Sequence, residues 1–176
     1  MRADIISLGL LGVLALGLLT AAWTDARSRK IYNWLTGPLA LAAPLFWWAS
    51  GYGLHDIGWQ LVSALGWFVG LAAINAFGWL GGGDVKLLTA LALWVRPLAF
   101  LNLLMVMALV GGGLCVAIFS WKMATRQRNR PVVPYGLAIA VAGLLTLGSE
   151  YTPLLHWAMG PAHAVASHPV APGQAS

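Results

Sequence analysis

Gly81-Gly82-Gly83-Asp84-Val85-Lys86 is the stretch on which the reading of this chain turns. Three glycines stand directly ahead of a carboxylate and an ammonium, in a chain that is otherwise mostly hydrocarbon. Glycine frees the backbone for a tight turn or for close approach by another peptide, so a helix can start here with a second segment against it. An acid next to the membrane interior costs roughly 2.5–3.5 kcal/mol on insertion scales, which makes Asp84 a candidate functional group by default.

The surrounding composition places that acid in lipid. The chain has 176 residues, 60% of them apolar and 9% charged, with a mean hydropathy of +0.78. A soluble domain carries about 25% charged residues. Several apolar runs approach or exceed the roughly 18 residues of a membrane span. The expected fold is therefore all-α, a polytopic membrane protein with one domain over residues 1–160. Residues 161–176, rich in Ala, Pro, Ser and His, are expected to form an exposed, disordered tail. The net charge of +5 is no nucleic-acid footprint, because the basic residues fall in a few loops, as topology signals do. The bilayer is the first partner implied. The lone Cys115 lies in an apolar run, which leaves no disulfide framework or cysteine metal site and points to a packed core residue.

Six helices follow from the apolar runs: Ile5–Trp23, Trp34–Ser50, Gly58–Leu80, Asp84–Val95, Leu98–Trp121, and one opening at Pro134 and reaching Gly148. The first run is kept as an anchor and not a cleaved signal, because Arg27, Arg29 and Lys30 follow it while Arg2 and Asp4 cancel ahead of it. That places the N-terminus outside. Six crossings then put eight of the ten basic residues on inner loops, leaving Arg2 and Arg96 outside. A five-span alternative, with Leu87–Trp121 as one kinked crossing, moves the Lys122–Arg130 loop outside and is disfavoured by the charge bias. The fourth helix is the difficult one. Its 12 residues reach only about 18 Å, so it is either a crossing in a thin region or a partly re-entrant element. Gly66 and Gly70 stand at the small-xxx-small spacing of helix packing, and Gly111–Gly113 signals close packing or a kink. Nine of the ten tryptophans fall near span ends, as interface anchors do.

Topology sorts the five acids. Asp4, Asp56 and Glu150 go to the outer side, whereas Asp25 and Asp84 both go to the inner face, at junctions of a span and an inner loop. Two nearby carboxylates share a proton, so one remains a base while the other donates. Such a pair activates water against a peptide carbonyl, and it needs no metal or cofactor. Each acid also has a plainer role open to it: Asp84 as a helix cap or a partner of Lys86, Asp25 as a partner of Arg27, Arg29 or Lys30. Gly81–Lys86 lacks the Gly-Lys-Ser/Thr ending of a phosphate loop, and neither His-Glu-x-x-His nor Gly-x-Ser-x-Gly is present. His55, His156, His163 and His168 fall outside or in the tail, away from the inner acids.

Gly81-Gly82-Gly83-Asp84 resembles the Gly-x-Gly-Asp motif of intramembrane aspartyl proteases, and Val85-Lys86-Leu87-Leu88 extends the likeness to the prepilin leader peptidases. Asp25-Ala26-Arg27-Ser28-Arg29-Lys30-Ile31-Tyr32-Asn33 is similar to that family's first-aspartate motif, with Tyr32 where proline is usual. Pro134-Tyr135-Gly136 resembles its late Pro-Tyr/Phe-Gly segment. The resemblance implies an aspartic endopeptidase that cleaves the basic leader from prepilin or pseudopilin precursors at the cytoplasmic face of the bacterial inner membrane. It assigns catalysis to Asp25 and Asp84. Gly81, Gly83, Lys86, Asn33, Pro134, Tyr135 and Gly136 are expected in substrate-binding or supporting roles; adjacency alone suggests that Lys86 orients Asp84 or biases its charge and that Asn33 bonds near Asp25. The absence of the cytoplasmic insert with paired cysteines implies the short, peptidase-only form of tight-adherence (Flp) pili. The rival readings are a small proton- or ion-coupled transporter and a non-catalytic subunit of a pilus assembly.

Overall fold

The computed structural model of the chain describes residues 2–125 and 135–159, all of whose regular structure is helical. In chain order the helices are α1 (Arg2–Ser28), α2 (Asn33–Ala49), α3 (Leu54–Ala76), α4 (Gly82–Ala92), α5 (Pro97–Thr125) and α6 (Tyr135–Met159). Each expected helix is present. Several differ in extent: α1 runs on through Asp25 to Ser28, α3 begins and ends four residues earlier than Gly58–Leu80, α5 continues to Thr125, and α6 continues past Gly148 through Glu150 to Met159. Residues 77–81 instead form a turn, with Gly78 at a φ of 78° and the Asn75 amide donating to the Leu80 carbonyl at 2.5 Å. Pro134, most of the Lys122–Arg130 loop and the 161–176 tail lie outside the described residues.

Among the described residues, three helices are long and apolar enough to cross a bilayer, at Ile5–Ser28, Leu54–Ala76 and Pro97–Thr125. α4 is different in kind. At 11 residues it is about 16 Å long, and it is apolar on nearly every side. Leu87, Leu88 and Leu91 are fully enclosed, because α2, α3, α5 and α6 all pack against it. A helix apolar all round belongs inside a bundle, and here the short helix is the bundle's axis.

Ending a helix inside a protein strands its last carbonyls. In α4 and the turn after it, side chains from three other helices receive them. The Gln60 amide of α3 donates to Ala92 O at 2.6 Å and to Val95 O at 2.8 Å. The Trp47 indole of α2 donates to Leu93 O at 2.8 Å, and the Tyr151 hydroxyl of α6 to Trp94 O at 3.0 Å. Phe46 packs between Trp94 and Tyr151, at ring separations of 5.2 and 5.7 Å.

This arrangement corrects two sequence readings. Trp47 and Trp94 are buried and hydrogen-bonded within the protein, Trp94 to Leu39 O at 2.9 Å, so neither is an interface anchor. Gly66 and Gly70 have no atom within 4 Å of where a side chain would begin. α3 packs through the opposite side, where Gln60, Ala64 and Leu71 are buried, and its glycine pair faces outward. Of Gly111–Gly113, only Gly111 makes a close approach, with the Tyr135 ring at 3.3 Å and Ala138 at 3.6 Å from its would-be Cβ.

Candidate active site

α1 ends at Ser28, and Arg29 follows in the left-handed region with φ of 53°. A residue in that conformation commonly terminates a helix by turning the chain aside. The Arg29 amide donates to Asp25 O at 2.8 Å, and residues 30–32 fold back across the start of α4. Contact there is direct: a Cβ on Gly83 would stand 3.0 Å from Ile31 Cβ. The Lys86 ammonium donates to the Asn33 side-chain oxygen at 2.9 Å, tying α4 to the start of α2. Lys86 and Asn33 are thus each other's partner at the edge of this junction.

The fold-back leaves a cleft of about 420 Å³, and both Asp25 and Asp84 line it, together with Arg29, Lys30 and Gly81. The two acids reach it from different directions. Asp84 sits in the first turn of α4 and bends back to accept a hydrogen bond from the Gly81 amide. This is one half of a capping box. A Cβ on Gly81 would lie 2.7 Å from the Asp84 carboxylate, whereas one on Gly82 meets only Asn75 at 4.0 Å. A side chain at the first glycine would displace the Asp84 carboxylate and one at the third would crowd Ile31, whereas the middle position has room.

Asp25 lies in the last turn of α1 and is buried, with 9% of its surface exposed. A carboxylate is disfavoured there, since the C-terminal end of a helix carries partial negative charge. The compensation comes from α6. The Gly136 amide, in the first turn of that helix, donates to Asp25 Oδ2 at 2.7 Å.

Burial and the neighbouring charge of Asp25 push the Asp84 carboxyl up to about 6, against the opposing pull of the Gly81 hydrogen bond. Asp84 lies outside the three helices long enough to cross a bilayer. An acid so raised holds its proton in mildly acidic water.

The cleft thus gathers Asp25, Asp84, Gly81, Gly83 and Asn33, with Gly136 against Asp25. The Tyr135 hydroxyl hydrogen-bonds Cys115 on α5, and Tyr135 senses the charge of Asp84. Cys115 is half-buried and stands beside the Tyr135 hydroxyl. Ile31 was the residue whose part went unread: its one signal was an apolar side chain set between basic residues and Tyr32. Among the described residues, no group of three or more His, Cys, Asp or Glu side chains is placed to hold a metal ion.

The larger cavity, about 700 Å³, lies beyond the other end of α4. Its polar groups are engaged with one another. Arg96 hydrogen-bonds Tyr52 and faces Glu150, which together raise its already high pKa, and Asp56 accepts from the Gly53 amide at 3.1 Å. The smaller cleft is the one that holds both Asp25 and Asp84.

Comparison with curated proteins and with solved structures found no match. The model of the type IV leader peptidase family matches residues 12–120, a stretch that contains both Asp25 and Asp84 and covers more than half of the sequence. By that match this chain, with its two aspartates on one cleft at the head of a buried helix, belongs to the type IV leader peptidase family.

Proposed function

We propose that this protein is a membrane-embedded aspartic endopeptidase that removes the leader peptide from prepilin-like precursors, with Asp25 and Asp84 as its catalytic pair. The observation that carries the reading is the shared cleft: two carboxylates from separate helices, electrostatically coupled. With one proton between them, the ionised carboxylate takes a proton from water as its oxygen attacks the scissile carbonyl carbon. The protonated partner gives its proton to the carbonyl oxygen. Collapse of the tetrahedral intermediate breaks the C–N bond, and the proton gained from water passes to the leaving amine.

The bundle lies in the bacterial inner membrane with its N-terminus outside and the aspartate cleft at the cytoplasmic face. The charge bias of the loops supports that orientation. α4 starts at that face, sheltered from lipid by its neighbours. The precursor's own apolar helix lies in the bilayer beside the bundle, which brings its leader to the cleft. The short peptidase-only form fits the tight-adherence pili.

Asp25→Asn and Asp84→Asn preserve shape and remove the acid. Each is expected to lower leader removal by about 10³-fold or more, read as a gel shift of a co-expressed prepilin. Processing at the normal rate by either amide variant overturns the two-aspartate mechanism.

A further inference from the structure

Gly136 lies outside the residues matched by the family model, and the chemistry of the two acids assigns it no part. Its position is nevertheless specific. The amide meets Asp25 Oδ2 at 2.7 Å in a buried setting. A Cβ at residue 136 would stand 2.7 Å from Asp25 Cβ and 2.9 Å from both Cγ and Oδ2. The backbone of α6 is therefore pressed onto the whole side chain of Asp25, and only glycine fits.

Two contacts from α5 set where that backbone lies. The Tyr135 ring packs on Gly111, and its hydroxyl bonds Cys115. The next residue in the chain is Gly136. The ring and the hydroxyl thus locate the first turn of α6 against α5, and the amide of that turn locates Asp25.

We infer that Gly136 is a positioning residue for Asp25, and that the Tyr135 contacts with Gly111 and Cys115 hold its amide in place. The inference rests on the two-aspartate reading above. Asp25 has a flexible χ2 and sits at a helix end that disfavours its charge. One short charge-assisted hydrogen bond selects the rotamer that faces the cleft, while the absent Cβ gives that rotamer its space. A displacement of about 1 Å at a catalytic group can lower the rate by up to about 10²-fold.

The test measures leader removal by the full-length protein in detergent, with a purified prepilin as substrate. Gly136→Ala keeps the amide and adds the clashing methyl. Replacing Gly136 by glycolic acid, which turns the amide into an ester, removes the N–H and adds no atom. Both variants are expected to lower kcat by about 10-fold or more, with KM within threefold of the wild type. Gly112→Ala, on an open face of α5, is the control and keeps the normal rate. The ester variant adds no steric load and so decides the matter if the alanine variant fails to fold. A kcat within twofold of wild type in the ester variant overturns the inference. So does a change confined to KM, which would place α6 against the substrate and not behind the acid. Failure of the two-aspartate reading is a different result: Asp25→Asn or Asp84→Asn would then process normally.

Discussion

The two ends of α4 are built on opposite plans. At the Asp84 end the fittings are small: glycines at 81 and 83, backbone amides as donors, and an open cleft. At the far end they are large: Gln60, Trp47 and Tyr151, each from a different helix, close over the final carbonyls. The first plan lets a second chain segment and an acid come close to the backbone. The second immobilises a helix too short to hold itself in place. The comparison teaches that the reactive end can be open because the other end is fixed.

The largest effect that would break this contrast lies in the glycines. Gly81→Ala and Gly83→Ala should each lower leader removal by about 10²-fold, since each puts a methyl 2.7–3.0 Å from Asp84 or Ile31. Gly82→Ala should stay within a few-fold of wild type in the same assay. Equal damage from all three would show that the glycines serve flexibility and not close approach.

Next in size is the far end. Gln60→Leu leaves the Ala92 and Val95 carbonyls without their donor in an apolar interior and should cost about 1–3 kcal/mol, read as a lower unfolding midpoint in detergent. Its kcat should fall less than that of Gly81→Ala. A larger loss of kcat than of stability would mean that the far end takes part in catalysis directly.

The smallest effect sharpens the role of Asp84. Its folded pKa of about 6 stands above the ordinary 3.8, so the stability tied to its neutral form is present below about pH 4 and lost as pH rises through about 6. Asp84→Asn should therefore be as stable as wild type near pH 4 and more stable at pH 7, while remaining inactive. For the wild type, kcat/KM should fall about tenfold per pH unit above 6, as the pair loses its shared proton. A flat pH–rate profile between 6 and 8 would remove Asp84 from the acid role.

Much of this was legible in the sequence, for identifiable reasons. The helices follow from apolar runs whose length a bilayer dictates, and Asp25 and Asp84 stand out because acids are so rare in them. Contacts chosen by tertiary geometry were not legible. Gln60 is one polar residue in an apolar span, and nothing local says that it faces two stranded carbonyls. Trp47 and Trp94 look like interface anchors because they stand near helix ends, yet their side chains turn into the protein. Lys86 sits two residues from Asp84, but in a helix i and i+2 do not face each other, and it turns to Asn33.

Asp25 takes its hydrogen bond from an amide 111 residues farther along the chain. During synthesis both acids are made and inserted well before the amide that holds one of them. A ribosome-bound chain lacking α6 would carry both carboxylates without the hydrogen bond that fixes Asp25. On the two-aspartate proposal, competence to cut would wait on arrival of the last helix.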